Sequence, residues 1–180
     1  MNRGDSGSYV EVSTKTSVED TRHLISHIHR LSGTPHANYE PLVQPILTPR
    51  FAISCTDDLL CELGKIAGCH PNLRIQTHIS ENKKEVKKVA ELFPRAPNYA
   101  SVYDEFGLLR NNTILGHAVH LKDEEMDLIK ERDAGISHCP TSNFNLNSGI
   151  APVGVFLDKG IKVRANLPHS LYRGDLQCLQ

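Results

Sequence analysis

The sequence predicts a parallel α/β fold, and three observations carry that prediction. Three short apolar or β-branched runs each deliver a histidine followed by polar groups: Arg74-Ile-Gln-Thr-His-Ile-Ser-Glu81, Thr113-Ile-Leu-Gly-His-Ala-Val-His120 and Gly135-Ile-Ser-His-Cys-Pro140. The intervals between them carry apolar residues at helical spacing. Strands alternating with helices are the repeat of a parallel barrel, whose polar strand ends gather at one rim, where chemistry takes place. A closed barrel needs eight strands and typically about 250 residues. These 180 residues hold about half of the strands, so the expected architecture is a partial, parallel TIM-type (β/α)8 barrel.

Taken in order, Ser17 reads as an N-cap with Asp20 at the third position, and Leu24, Ile25, Ile28 and Leu31 form an apolar stripe up to Gly33. After a loop rich in Pro and Asn, Leu42 to Phe51 reads as a strand, although Pro45 and Pro49 are awkward in a strand interior. Thr56 caps a second helix with Leu59, Leu60, Leu63 and Ile66 inward, closed by Gly68. Lys83 to Phe93 places Val86, Val89, Ala90 and Phe93 on one helical face before Pro94. Asp123, Glu124 and Glu125 put negative charge in the first turn of a helix through Met126 and Ile129. Gly160-Ile-Lys-Val-Arg begins another strand, and the rest lacks any period. The expected organisation is a partial barrel over 1–163 and a divergent tail over 164–180.

Composition narrows the class. With 39% hydrophobic and 23% charged residues, a mean hydropathy of -0.34 and no long apolar run, the chain offers no membrane span. A net charge of -1 gives no electrostatic reason for a nucleic-acid or anionic-membrane partner. Lys83, Lys84, Lys87 and Lys88 are interspersed with Glu85 and Glu91, as on a solvated helix face. No apolar segment follows Met1, so cytoplasm is the default expectation. Five cysteines without a Cys-x-x-Cys pair suggest reduced thiols rather than a disulfide framework. Arg3-Gly-Asp5 matches an adhesive tripeptide, a length at which chance matches are common.

The strand-end histidines are the chemical signal. Neutral imidazoles from separate strands can converge on one divalent ion and leave a position open for water. His78 and His117 are the candidate ligands. Water on such an ion reaches a pKa of about 7, and an adjacent carboxylate can move its proton. Glu81 is the candidate, provided the strand ends by about Ser80, because three residues along a continuing strand would place it on the opposite face. The competing reading makes His78 an ordinary hydrogen-bonded strand-end residue and Glu81 a carboxylate serving the next helix.

Gln76-Thr-His-Ile-Ser-Glu-Asn82, Ser101-Val-Tyr-Asp104, Gly116-His117, His138-Cys-Pro-Thr-Ser-Asn143, Leu146-Asn-Ser-Gly149 and Thr48-Pro-Arg-Phe51 occur here in order. In that order and spacing they resemble the amidohydrolase superfamily and, within it, the guanine deaminase family of animal type. The resemblance runs from about residue 10 to about residue 163. It implies hydrolytic removal of the purine 2-amino group, giving xanthine and ammonia. A Zn2+-activated water would attack the ring carbon, with His78 and His117 as metal ligands and Glu81 handling protons. Arg50 and Phe51 match the family's purine-binding pair. A guanidinium can donate to a purine acceptor and a ring can stack on the base. It further implies one divalent metal per intact site, a small-molecule purine substrate and a homodimer for the intact enzyme. His138 matches a position near the pocket that is not a ligand.

Departures from the family pattern shape the expectation for this chain. The family's first strand carries a His-x-His pair; His27-Ile-His29 has the spacing but sits in a helical stripe. Where the last strand should end in a metal-binding aspartate, the chain reads Val163-Arg-Ala-Asn-Leu, and Asp175 lies in the tail. Catalytic zinc sites supply at least three protein ligands. The expectation is weak or absent activity in this chain alone, which looks incomplete at both ends. Two alternatives stay open: a related amidohydrolase acting on another heterocycle, and a non-catalytic truncated product that pairs with a full-length subunit.

Overall fold

A computed structural model describes residues 1–4, 10–31 and 43–165. Five strands, β1 (Ile46–Leu47), β2 (Arg74–Ile79), β3 (Thr113–His117), β4 (Gly135–His138) and β5 (Lys162–Ala165), form one sheet in chain order. Every neighbouring pair is parallel. α1 (Thr14–Leu31) precedes β1, and the helices between the strands are α2 (Asp57–Cys69), α3 (Lys83–Leu92), α4 (Tyr99–Glu105), α5 (Asp123–Glu131), α6 (Pro140–Asn145) and α7 (Val153–Asp158). The α/β class and the partial parallel barrel follow directly. Among the described residues no helix is long and apolar enough to cross a membrane.

α1 begins earlier than expected. The Ser13 hydroxyl accepts from Thr16 N at 3.1 Å, so Ser13 is the cap, and Ser17 is buried inside the first turn. The stripe is correspondingly narrow. Val18 and Ile25 are buried, but Leu24 and Leu31 are 57% and 75% exposed, and α1 packs against α2. Gly33 lies outside the described residues.

The predicted strand over 42–51 shrinks to Ile46–Leu47, with Leu42 outside the described residues. Pro45 and Pro49 bracket it, and neither has an N–H to give a ladder. The segment still follows β2, since His78 N donates to Arg50 O at 2.9 Å. Thr56 caps α2 by accepting from Leu59 N. α2 passes through Gly68 to Cys69 instead of closing there. Gly64 is required for close approach: a Cβ there would lie 1.9 Å from Phe106 O.

α3 is held by a reciprocal capping box between Asn82 and Glu85. The buried line of α3 runs through Glu85, Val89 and Phe93, while Val86 is half-buried and Ala90 exposed. Lys83, Lys84, Lys87 and Lys88 are exposed as expected. α4, α6 and α7 were not predicted; at seven, six and six residues they are too short to show a 3.6-residue period. β5 carries Arg164 and Ala165 past the expected boundary at 163, and residues 166–180 lie outside the described part.

The sheet has one buried and one open face. Ile75, Thr77 and Ile79 of β2, Leu115 of β3 and Ile136 of β4 are buried, while Arg74, Gln76 and Ile114 at the alternate positions are exposed. Strand periodicity of two produces this division. It also sets His78 and Gly116, which are register partners, at the carboxyl ends of β2 and β3.

Candidate active site

β2 stops at Ile79, and Ser80 takes a left-handed backbone, φ 49. That turn removes Glu81 from the alternation of the strand. β3 ends more sharply: His117 has φ 72 and Ala118 φ 54. Ala118 N donates to Gly116 O at 3.1 Å across His117, which is the three-residue pattern of a strained γ-turn. The two turns are pinned together, because Val119 N and His120 N both donate to Ser80 O at 3.0 Å. Non-glycine residues adopt this backbone at a cost that surrounding structure must hold.

The result brings three of the candidate residues together. The His78 and His117 rings stack with centroids 5.1 Å apart, and Glu81 Oε1 lies 3.7 Å from His117 Nδ1. His117 is buried and Glu81 partly so. A Cβ on Gly116 would meet His78 Cδ2 at 3.3 Å, so the glycine leaves room for the His78 ring. Glu81 is free of the capping duty that competed for it, since Glu85 accepts the backbone N–H of both Glu81 and Asn82.

Both imidazoles are oriented by acceptors. His78 Nδ1 lies 2.6 Å from the carbonyl of Arg50, which can only accept, so Nδ1 carries the proton. His117 Nδ1 lies 2.8 Å from Asn143 Oδ1, which places its proton there as well. Each ring is left with an Nε2 lone pair, the usual arrangement of a histidine that binds metal. The donor set therefore fits a divalent ion as two of its ligands. Among the described residues no group of three or more His, Cys, Asp or Glu is arranged to hold a metal.

Arg50 and Phe51 reach the site differently. The Arg50 carbonyl orients His78, while its exposed guanidinium lies 5.7 Å from the centroid of the Phe51 ring. Phe51 is half-buried rather than a core aromatic. His138 ends β4 on the same rim with Nδ1 buried and unpartnered, and burial lowers its pKa from the ordinary 6.5. Ser80 Oγ and Asn143 Nδ2 are also buried without a partner. Unpaired buried polar atoms are uncommon, and these three collect at one rim. Arg3 of the adhesive-type tripeptide is committed to Asp57 at 3.1 Å, and His27 and His29 are exposed on α1.

The amidohydrolase family model matches residues 6–165. This chain belongs to the amidohydrolase family. It is 52% identical over 163 residues to a probable guanine deaminase of Schizosaccharomyces pombe, covering 91% of this chain and 30% of that protein. It is 41% identical to the guanine deaminase of Mus musculus, covering 91% and 34%. Among solved structures, a guanine deaminase from C. acetobutylicum with bound guanine superposes with a TM-score of 0.83 at 38% identity, covering 92% of this chain and 37% of that one. The chain thus spans about a third of the length of the relatives it matches.

Within this amidohydrolase rim, the sequence marks Asn143 and Tyr103 only as members of the strings that carry the resemblance, and assigns no site role to Glu85 or Tyr99. Asn82 followed three residues later by Glu85 was a readable capping signal. Tyr103 lies in the string Ser101–Asp104 that carries the resemblance, but no local pattern names the partners of the two tyrosines, which come from β2 and the turn after β1 for Tyr103 and from α3 for Tyr99.

Proposed function

We propose that this chain contributes part of a site for hydrolytic deamination of guanine, releasing xanthine and ammonia. The observation that carries the reading is the stacked pair His78 and His117 with both Nδ1 protons committed, beside the Glu81 carboxylate. His78 and His117 would hold zinc together with ligands beyond those described, and the ion would supply an acidified water near neutral pH. Glu81 takes up a proton at its carboxylate and returns it to the departing amine. Asn143 and the Arg50 carbonyl keep the imidazoles in one tautomer. The Arg50 guanidinium donates to purine lone pairs, and the Phe51 ring offers a stacking face. Names and bound ligand of the similar proteins support guanine over other heterocycles.

The purified chain is to be titrated with zinc against a chromophoric chelator, then given guanine, adenine, cytosine and triazines while ammonia and xanthine are followed. Zinc binding is expected to weaken by more than about 100-fold in His78→Ala or His117→Ala, since loss of a ligand exceeds the loss of a partner that only orients one. Any turnover should be slow and confined to guanine. Zinc binding indifferent to both substitutions, or faster ammonia release from another heterocycle, would overturn the proposal.

A further inference from the structure

We infer that Tyr103 is a positioning residue for this site, holding the His78 backbone and the turn after Arg50–Phe51 through one buried hydroxyl; the inference rests on the zinc-site reading above. Tyr103 is fully buried and touches no open space where substrate could sit. Its hydroxyl donates to His78 O at 2.7 Å and accepts from Ala52 N at 3.0 Å and Thr77 Oγ1 at 2.9 Å. One atom thereby ties the strand end that carries His78 to the segment that carries Arg50.

The orientation of the His78 ring depends on that tie. His78 Nδ1 donates to Arg50 O, so the ring is aimed by where the Arg50 carbonyl stands relative to the His78 backbone. Tyr103 fixes one end directly and the other from Ala52, two residues beyond Arg50. A second phenol extends the hold. Tyr99 stacks on Tyr103 at 5.4 Å and donates to Glu85 Oε1 at 2.8 Å, while Glu85 Oε2 accepts from Glu81 N at 2.8 Å. The segments bearing Arg50, His78 and Glu81 are therefore joined by buried and part-buried hydrogen bonds supplied from α3 and α4. Burial pushes both phenols above their ordinary pKa, so each keeps its single proton for this purpose.

The test uses the 180-residue chain with zinc alone as the probe. Tyr103→Phe keeps the ring and deletes the hydroxyl; Phe156→Leu, in α7, lowers stability at a core position outside this network; His78→Ala is the reference. Expected results are a roughly 10-fold loss of zinc affinity in Tyr103→Phe, as for disturbed partners of metal ligands, and none in Phe156→Leu at matched urea midpoints. Nitrogen-15 spectra of the zinc-free chain should show His78 as a single Nδ1–H tautomer, mixed in Tyr103→Phe. Thr77→Val, which removes one bond to the hydroxyl, should move both readouts less and in the same direction, and it serves if Tyr103→Phe does not fold.

Zinc affinity and tautomer unchanged in Tyr103→Phe, or equal losses in Tyr103→Phe and Phe156→Leu, would overturn the positioning role and leave the zinc reading standing. Zinc binding unaffected by His78→Ala would instead overturn the zinc reading. In that case the tautomer measurement alone decides on Tyr103.

Discussion

The two rims of the sheet are built on opposite terms. At the amino-terminal rim polar side chains close the backbone: Asn112 Nδ2 donates to Pro71 O and Leu73 O, Thr113 Oγ1 donates to Leu108 O, and the Arg110 guanidinium donates to Ala67 O. One oxygen, Asn112 Oδ1, stays unpartnered. Left-handed backbone occurs there at Gly107 and Asp133, just past α4 and α5, where it simply ends a helix. At the carboxyl-terminal rim Ser80, His117 and Ala118 are left-handed with no helix to end, and Ser80, Asn143 and His138 keep buried polar atoms unpaired. One rim spends its side chains on stability, while the other holds strain and unmet hydrogen-bonding capacity where imidazoles converge.

Substitutions can break or sharpen that contrast. The largest effect is expected from Asn112→Ala, which strips donors from two carbonyls and should cost about 2 kcal/mol. Urea denaturation reads the loss, and zinc affinity should not change; a fall in affinity would erase the division between rims. Ser80→Gly should act in the reverse direction. Relief of a left-handed backbone and of a buried, unpaired hydroxyl outweighs the added chain entropy, for a net gain of about 1 kcal/mol. A higher urea midpoint is the expected outcome, and a lower one would show that the rim turn is not strained.

The smallest effect belongs to pH. Burial lowers the His138 pKa below 6.5 in the folded chain, so the unfolded chain binds more protons between that lowered value and 6.5. Its contribution to stability is present above pH 6.5 and fades as pH falls through the window. His138→Gln should flatten this part of the stability-pH profile; an unchanged slope would remove His138 from the strained rim.

Much of this contrast was legible one strand at a time. β2, β3 and β4 announce themselves as short β-branched runs, and α2, α3 and α5 by caps and apolar spacing, because these signals lie within a few residues of one another. The end of β2 before Glu81 was foreseen as a condition on that residue's role, and Ser80 meets it. The cap of α1 and the short β1 were misjudged where Ser13 competes with Ser17, and where Pro45 and Pro49 leave room for only two ladder residues. α4, α6 and α7 are too brief for periodicity to mark.

By itself the sequence determined the alternation of strands and helices, the residues that end each strand, and the donor chemistry of His78, His117 and Glu81. Only the tertiary structure decided that the two rings stack, that Arg50 and Asn143 settle their tautomers, and that Tyr103 ties His78 to the turn after Arg50. The physical reason is distance along the chain: pairs such as 50 with 78, 117 with 143 and 52 with 103 meet through sheet register and helix packing. No local pattern of residues encodes such meetings.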